Sequence, residues 1–464
     1  MENKMQKFFE LDRIDANKRD VVQRVKDFGE IYEVFPENKA SEQSDRCIQC
    51  GDPYCHNKCP LHNLIPQWLK SIAGHDLELA FALSNEPSPF PEVLGRICPH
   101  DRLCEGDCTL NDGHGAITIG SIETFINEEG FKQGLKPTYK VKKTDKKVAI
   151  VGAGPAGLSA ATFLLREGIA VEIFDKQAKA GGLLTYGIPG FKLDKSVVER
   201  RIDLLKEAGA VFYQECEVGK DISFDELSEK FDAVFLGMGA TQGRVANLEG
   251  SEAKNTYLAM EFLTNIQKKL FGELYDTNID VQDKKVVVIG GGDTAMDCVR
   301  TSLREKAQSV ECLYRRDAGN MPGSKKEYIN AKEEGVEFTF YVAPKAIISN
   351  ENGEVTGVKM IETKLGEPDA SGRQSVVEVE GSEFMVDADV VIYALGFDPV
   401  KYDFLASHGI ELDRWDGIIV NENFETTKAG IYAGGDCHRG ADLVVTAAFD
   451  GREAAKAISK KLLG

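Results

Sequence analysis

The chain has no excess of positive charge: 56 Lys and Arg stand against 75 Asp and Glu, a formal net charge of -19 at pH 7. A nucleic acid or an anionic membrane would be repelled by that mean field, so neither is expected as the main partner. The opening stretch, MENKMQKFFELDRIDANKRD, lacks an apolar core of signal-peptide length, and a reducing cytoplasm is the expected location. A membrane-length apolar helix is missing too. The longest uncharged run, Val148 to Leu165, contains Gly152, Gly154, Pro155 and Gly157, which suit a strand, a turn and a helix better than a bilayer span.

Cysteine, by contrast, is concentrated in one place, with seven of the 11 between Cys47 and Cys108. Cys47, Cys50, Cys55 and Cys59 form C-x2-C-x4-C-x3-C followed by Pro60. That spacing is close to the bacterial iron–sulfur run, whose last cysteine ligates a different cluster from the first three. One such run implies two clusters, and Cys98, Cys104 and Cys108 supply further thiolates. If both are 4Fe-4S clusters, the seven thiolates leave one ligand position for a carboxylate or an amide. The alternative is a zinc site or a disulfide framework. Zinc favours paired C-x2-C units in fours, however, and a long chain without a secretory segment has little need of disulfides. His56 and His62 flank the cysteines as ligands or hydrogen-bond partners, with no chemistry assigned. Leu64, Ile65, Trp68, Leu69 and Ile72 recur at helical spacing and predict a helix packed beneath the clusters.

At 464 residues the length suggests about three domains. Residues 1–147 read as a helical cluster domain ending in a polar, basic linker from 136. The pattern then becomes α/β. Val148, Ile150 and Val151 run into Gly152-Ala153-Gly154-Pro155-Ala156-Gly157, and a helix follows. Glycines there allow a tight turn, close approach of backbone to a pyrophosphate, and close helix–strand packing, while the helix N-terminus offers free N–H groups. Asp175 ends the next strand at the place of a ribose-binding acid. A second unit, VVVIGGGDTAMD, repeats this logic from Val286 with Gly290, Gly292 and Ala295 at the glycine positions and Asp293 and Thr294 opening its helix. Arg315 and Arg316 then stand where the first unit has an acid, which suits a 2′-phosphate and predicts NADPH over NADH.

Gly181-Gly182-Leu183 and the following Thr185-Tyr186-Gly187-Ile188-Pro189 suit a flavin ring or ribityl chain. No C-x-x-C or C-x4-C pair lies beside them, since Cys216, Cys298, Cys312 and Cys437 have no near partner. Electrons must therefore leave the flavin without a dithiol, and the clusters are the evident route. Near the C-terminus, Gly434-Gly435-Asp436 resembles the second flavin motif, and Val444-Val445-Thr446-Ala447 opens a helix whose dipole favours negative charge on the reduced ring. Flavin motifs thus flank the NADPH unit. The expected fold is a helical iron–sulfur domain followed by two Rossmann-like domains. FAD would be held by residues 148–283 and 386–464, with the NADPH domain, 284–385, inserted between them. The turns Gly237-Met238-Gly239 and Ala394-Leu395-Gly396-Phe397 lie near the crossings.

Over nearly its whole length the chain resembles the small (beta) subunits of bacterial glutamate synthase, and more distantly the amino-terminal part of dihydropyrimidine dehydrogenase. The resemblance is carried by DFGEIYEVF, RCIQCGDPYCHNKCPLHNLIP, RICPHDRLCEGDCTLN, AITIGSIETFIN, GGLLTYGIPGFKL, GGGDTAMDCVRTS, YRRD, NMPGSKKEY and AGGDC. It implies one 4Fe-4S cluster on Cys47, Cys50, Cys55 and Cys108, and another on Cys59, Cys98, Cys104 and Glu123. On its own, Glu123 reads as an exposed helix glutamate. Cofactor contacts are implied for Gly182, Leu183 and Lys192, for Gly435 and Asp436, and for Thr446. The resemblance further implies that NADPH is oxidised through FAD and that electrons pass to a large subunit carrying FMN and an iron–sulfur cluster. That subunit makes glutamate from glutamine and 2-oxoglutarate. This chain cannot do so alone, because Met1 is followed by Glu2 and not by the cysteine such an amidotransferase needs. Competing expectations are the large subunit of a ferredoxin–NADP oxidoreductase or sulfide dehydrogenase, an electron-carrying adaptor without hydride chemistry, and a zinc-held interaction domain. No side chain is expected to act as nucleophile, general acid or general base.

Overall fold

A computed structural model describes residues 4–139, 143–368 and 374–464. The expected linker therefore lies partly, at 140–142, outside the described residues. The N-terminal part is helical. Pro66 and Pro91 sit in the first turns of Ile65–Ala73 and Pro91–Ile97, where a missing N–H costs nothing. Asp76 caps Leu77–Asn85 by accepting from the Leu79 N–H at 3.0 Å. The expected helix is Ile65–Ala73. Its Ile65, Trp68, Leu69 and Ile72 are buried against Ile119, Ile122, Phe125 and Ile126 of Ile119–Lys132.

Lys147–Val151 is the centre of a five-stranded parallel sheet ordered Ile431–Ala433, Ala233–Leu236, Lys147–Val151, Ala170–Phe174, Val211–Tyr213. Its inner strands are near-continuous apolar runs, as burial on both faces demands. Ile431–Ala433 comes from the C-terminal end of the chain, so this unit is discontinuous, as expected. The helices Pro155–Arg166 and Val444–Leu463 pack together on it.

A second five-stranded parallel sheet is ordered Thr256–Leu258, Val390–Tyr393, Lys285–Ile289, Ser309–Tyr314, Glu337–Phe340. Two of its strands lie outside 284–385, since Thr256–Leu258 precedes that stretch and Val390–Tyr393 follows it. Strands this short carry little periodicity, and their place is set by pairing with Lys285–Ile289 and with each other. Close to the two expected turns, Gln242–Gly243 pairs antiparallel with Phe397–Asp398, and Arg244 meets Asp398 at 2.5 Å. An antiparallel layer, Val342–Ser349, Val355–Pro368, Gln374–Glu378 and Phe384–Asp387, extends the second unit. Among the described residues no helix is long and apolar enough to cross a membrane.

The cluster domain is fastened to both units. Leu61, Phe90, Val93 and Leu94 join the apolar core of the first, and the fully buried Arg201 pairs with Glu92 at 2.6 Å. Arg452 donates to the Leu61 carbonyl at 2.8 Å, just beyond Cys59 and Pro60. Towards the second unit, residues 18–32 form a strap. Arg24 Nε meets Glu334 at 3.0 Å and Arg304 donates to the Arg24 and Asp27 carbonyls, while the Ile31 N–H donates to the Phe191 carbonyl of the first unit at 3.2 Å.

Glu334 is the centre of this contact. Burial opposes its ionisation, but hydrogen bonds from Arg300 and Arg304 outweigh burial and bring the carboxyl down to about 2. A carboxyl so depressed stabilises the fold above its ordinary value near 4.5 and loses that contribution as pH falls towards 2. Glu334→Gln removes the carboxylate that three buried guanidiniums share, leaving Arg304 without an ion-pair partner among the described residues while Arg24 keeps Glu333 and Arg300 keeps Glu327, and is expected to cost about 3–5 kcal/mol. The denaturation midpoint at neutral pH checks this, and the gap to wild type should narrow as pH falls below about 4.

Candidate cofactor sites

Cys47, Cys50, Cys55 and Cys108 line one small cavity together with Tyr54, Pro66 and Leu69. Cys47 follows Glu37–Asp45, Cys55 lies in the short helix Tyr54–Lys58, and Cys108 returns from a later loop. Burial pushes the Cys47 thiol up to about 11 and the Cys55 thiol up to about 12, and the neighbouring sulfurs add to it. Thiolates in such a place require a metal on their open side, which is what an iron–sulfur cluster provides. Among the described residues no three His, Cys, Asp or Glu side chains are set to hold a single metal ion. These four sulfurs surround a void, so the residues present fit a cluster.

Cys59, Cys98 and Cys104 form a second group with Glu123. Burial raises all three thiols, and the nearby Glu123 carboxyl adds to the effect on each. Glu123 is 5 % exposed, which overturns its reading as a surface glutamate. Its Oε1 accepts from Asn63 Nδ2 at 2.5 Å, and burial pushes the carboxyl up to about 8. A buried carboxyl with a neutral amide partner, placed beside three buried thiols, suits a fourth cluster ligand. Asn63 was not anticipated, although it stands inside the CPLHNLIP stretch. His56 and His62 have their rings 5.3 Å apart, neither lines the first cavity, and His56 Nδ1 lies 3.1 Å from the Asn63 carbonyl.

A cleft of about 1370 Å³ runs between the two sheet units. Cys98 and Pro99 stand in its wall, and none of the first four cysteines does. From the first unit it is lined by Gly152, Gly154, Pro155, Ala156, Asp175, Gly182, Leu183, Lys192 and Asp436. Two glycines there are dictated by space. A Cβ on Gly157 would stand 1.9 Å from the Gly152 carbonyl oxygen, and one on Gly182, at φ +54, 2.8 Å from the Gly154 Cα. The result is a bare backbone cradle of the kind a pyrophosphate needs. Asp175 accepts from the Ala153 N–H at 2.7 Å and from the Gln177 N–H at 2.8 Å, so it braces the turn and keeps lone pairs for a ribose hydroxyl. Burial pushes Asp436 up to about 7. Ala153, Gly157, Gly435 and Thr446 lie behind the wall. Gly435 N–H donates to Asp450 at 2.9 Å, and the Thr446 hydroxyl turns back to the Leu443 carbonyl at 2.7 Å, leaving Val444, Val445 and Ala447 to face the cleft.

Lys192 Nζ lies 2.9 Å from Asp297 Oδ1 across the boundary between the units, and both line the cleft. Burial opposes the charge on Lys192, and Asp297 beside it outweighs burial. Lys195 donates to the carbonyls of Leu184 and Ile188 and so holds the glycine-rich stretch from behind. From the second unit Gly292, Asp293 and Thr294 reach the same cleft, while Gly290 and Ala295 are buried in the strand–helix packing behind it. Arg315 and Arg316 follow Ser309–Tyr314 as expected, outside the cleft lining. Arg315 is exposed, and Arg316 donates to the Gln374 carbonyl at 3.0 Å. The sequence did not single out Asp297 or Arg102 at this cleft, nor Lys195 behind it, although Asp297 stands within the GGGDTAMD motif.

Two dinucleotide turns opening on one cleft, with a cysteine-rich domain forming part of its wall, define an oxidoreductase of the pyridine-nucleotide class joined to an iron–sulfur domain. A family model described as dihydropyrimidine dehydrogenase domain II, 4Fe-4S cluster, matches residues 24–135, and one described as pyridine nucleotide-disulphide oxidoreductase matches residues 146–451. The chain belongs to the family of the glutamate synthase [NADPH] small chains. It is 50% identical to that of Escherichia coli (strain K12), covering 99% of both chains. To that of Azospirillum brasilense it is 46% identical over 95% of this chain and 93% of the other. It is also 48% identical to the putative oxidoreductase AegA of Escherichia coli (strain K12), over 96% of this chain and 69% of that one. Among solved structures, Mycobacterium tuberculosis FprA in complex with NADPH shares the fold of 69% of this chain and 85% of its own, with a TM-score of 0.58 and 20% identity. Thioredoxin reductase of T. acidophilum does so with a TM-score of 0.50 and 22% identity, over 69% of this chain and 100% of its own.

Proposed function

We propose that this chain is the electron-input subunit of a glutamate synthase in the cytoplasm, taking electrons from NADPH and delivering them to a larger partner. The partner would carry FMN and an iron–sulfur cluster and make glutamate from glutamine and 2-oxoglutarate. The cleft carries this reading, because one space is lined by both glycine turns and by Cys98. Nicotinamide supplies a hydride, flavin divides the pair, and clusters move single electrons.

The residues' part is binding and orientation. Gly152, Ala153, Gly154, Pro155, Ala156 and Gly157 cradle the FAD pyrophosphate, Asp175 its ribose, and Gly182, Leu183, Lys192, Gly435, Asp436 and Thr446 shape the flavin end. Gly290, Gly292, Asp293, Thr294 and Ala295 form the NADPH turn, with Arg315 and Arg316 for the 2′-phosphate. Cys59, Cys98, Cys104 and Glu123 hold a 4Fe-4S cluster beside the flavin, and Cys47, Cys50, Cys55 and Cys108 hold a second one farther out. The nicotinamide domain runs between the two strands of the ribbon, from Gln242–Gly243 to Phe397–Asp398, with FAD-domain segments on either side of it. The iron–sulfur domain precedes them.

The reconstituted chain is expected to reduce an artificial acceptor with NADPH in preference to NADH. Arg315→Ala with Arg316→Ala should lose that preference, measured as the ratio of kcat/KM for the two nucleotides. An unchanged ratio would remove the arginines from the site. The likeness to AegA favours a second reading, an oxidoreductase with another acceptor, and the identity of the chain that co-purifies separates the two.

A further inference from the structure

We propose that the iron–sulfur domain supplies a residue of the NADPH site: Arg102, on the loop between Cys98 and Cys104, binds the dinucleotide diphosphate. The inference rests on the nicotinamide site proposed above and extends it across a domain boundary. Arg102 lines the cleft with Gly292, Asp293, Thr294 and Pro322. Its Nη1 donates to the Pro322 carbonyl at 2.5 Å, and its Nη2 lies 3.4 Å from Asp293 Oδ2. The loop it holds is seated on the turn itself, because the Gly323 N–H donates to the Gly291 carbonyl at 3.0 Å and the Ser324 N–H to Asp293 Oδ1 at 2.9 Å.

The charges explain why an arginine is needed here. In the first dinucleotide unit the residue after the last cleft-lining glycine is Pro155, uncharged, and the helix N-terminus meets the pyrophosphate with nothing opposing it. In the second unit the equivalent place after Gly292 is Asp293, whose carboxylate repels the same phosphates. Arg102 sets a positive charge against that carboxylate from outside the unit. Its side chain is 43% exposed and that of Asp293 36%, so both are open to the cleft. A guanidinium has five N–H donors, and the two contacts to Pro322 and Asp293 leave others for phosphate oxygens, with the planar fork suited to them.

NADP+ titration of the FAD- and cluster-loaded chain by calorimetry tests this directly. Arg102→Gln should weaken NADP+ binding by roughly tenfold or more, the range for a lost charge-assisted hydrogen bond, and Arg102→Lys by less. KM for NADPH should rise while kcat at saturation stays near wild type, with flavin and iron contents unaltered. Asp293→Asn is the deciding variant. It breaks the same ion pair, yet it removes a repulsive charge and should tighten NADP+ binding. If both Arg102→Gln and Asp293→Asn weaken binding alike, the pair is only a staple between domains and the proposal is wrong. Binding by Arg102→Gln and Arg102→Lys equal to wild type overturns it too. A wild-type chain that fails to bind NADP+ at all would instead overturn the nicotinamide site on which the proposal rests.

Discussion

Glu123→Ala is expected to cost the chain one of the two proposed clusters, or to convert it to a three-iron form visible by electron paramagnetic resonance, while FAD content stays at its wild-type level. Glu123 is buried among Cys59, Cys98 and Cys104, and its carboxyl takes one hydrogen bond, from Asn63. Burying a carboxyl without an ionic partner is costly, which is why it is pushed up to about 8. A metal on its open side reverses that penalty and gives the residue a reason to be there. Cys47, Cys50, Cys55 and Cys108 line a separate cavity, and the cluster proposed there should survive the substitution. A full iron complement with an unaltered spectrum would mean that Glu123 is buried for packing alone.

The parts of this molecule legible in its sequence are those whose chemistry is local. The four cysteines before Pro60 announce an iron–sulfur domain by spacing, and both glycine turns announce dinucleotides because strand, turn and helix follow within a few residues. The helix at Ile65–Ala73 showed itself through its buried Ile65, Trp68, Leu69 and Ile72. What escaped depends on distant partners. Glu123 is buried because Ile119–Lys132 packs against Pro91–Ile97 and Ile65–Ala73, which no window around Glu123 contains. Arg24 and Glu334 form a strap contact 310 residues apart in the chain. Thr256–Leu258 and Val390–Tyr393 are too short to declare their sheet, and each pairs with a strand far off in the chain. The antiparallel layer from Val342 to Asp387 carries no motif at all.

Cys50→Ala separates the two halves of the proposed electron path. Cys50 belongs to the cysteine group outside the cleft wall, and its Sγ lies 3.3 Å from the Thr109 hydroxyl at an exposed edge. No residue that lines the cavity of that group also lines the cleft, so flavin reduction by NADPH should proceed at the wild-type rate in the variant. On the proposed path, delivery to the partner runs through the outer cluster, and without it no electrons should arrive there. The direct test is to record flavin bleaching by stopped flow and NADPH-driven glutamate formation with the large subunit, both in Cys50→Ala. Normal bleaching and no glutamate are the expected result. Normal glutamate formation with the outer cluster shown to be absent would contradict it.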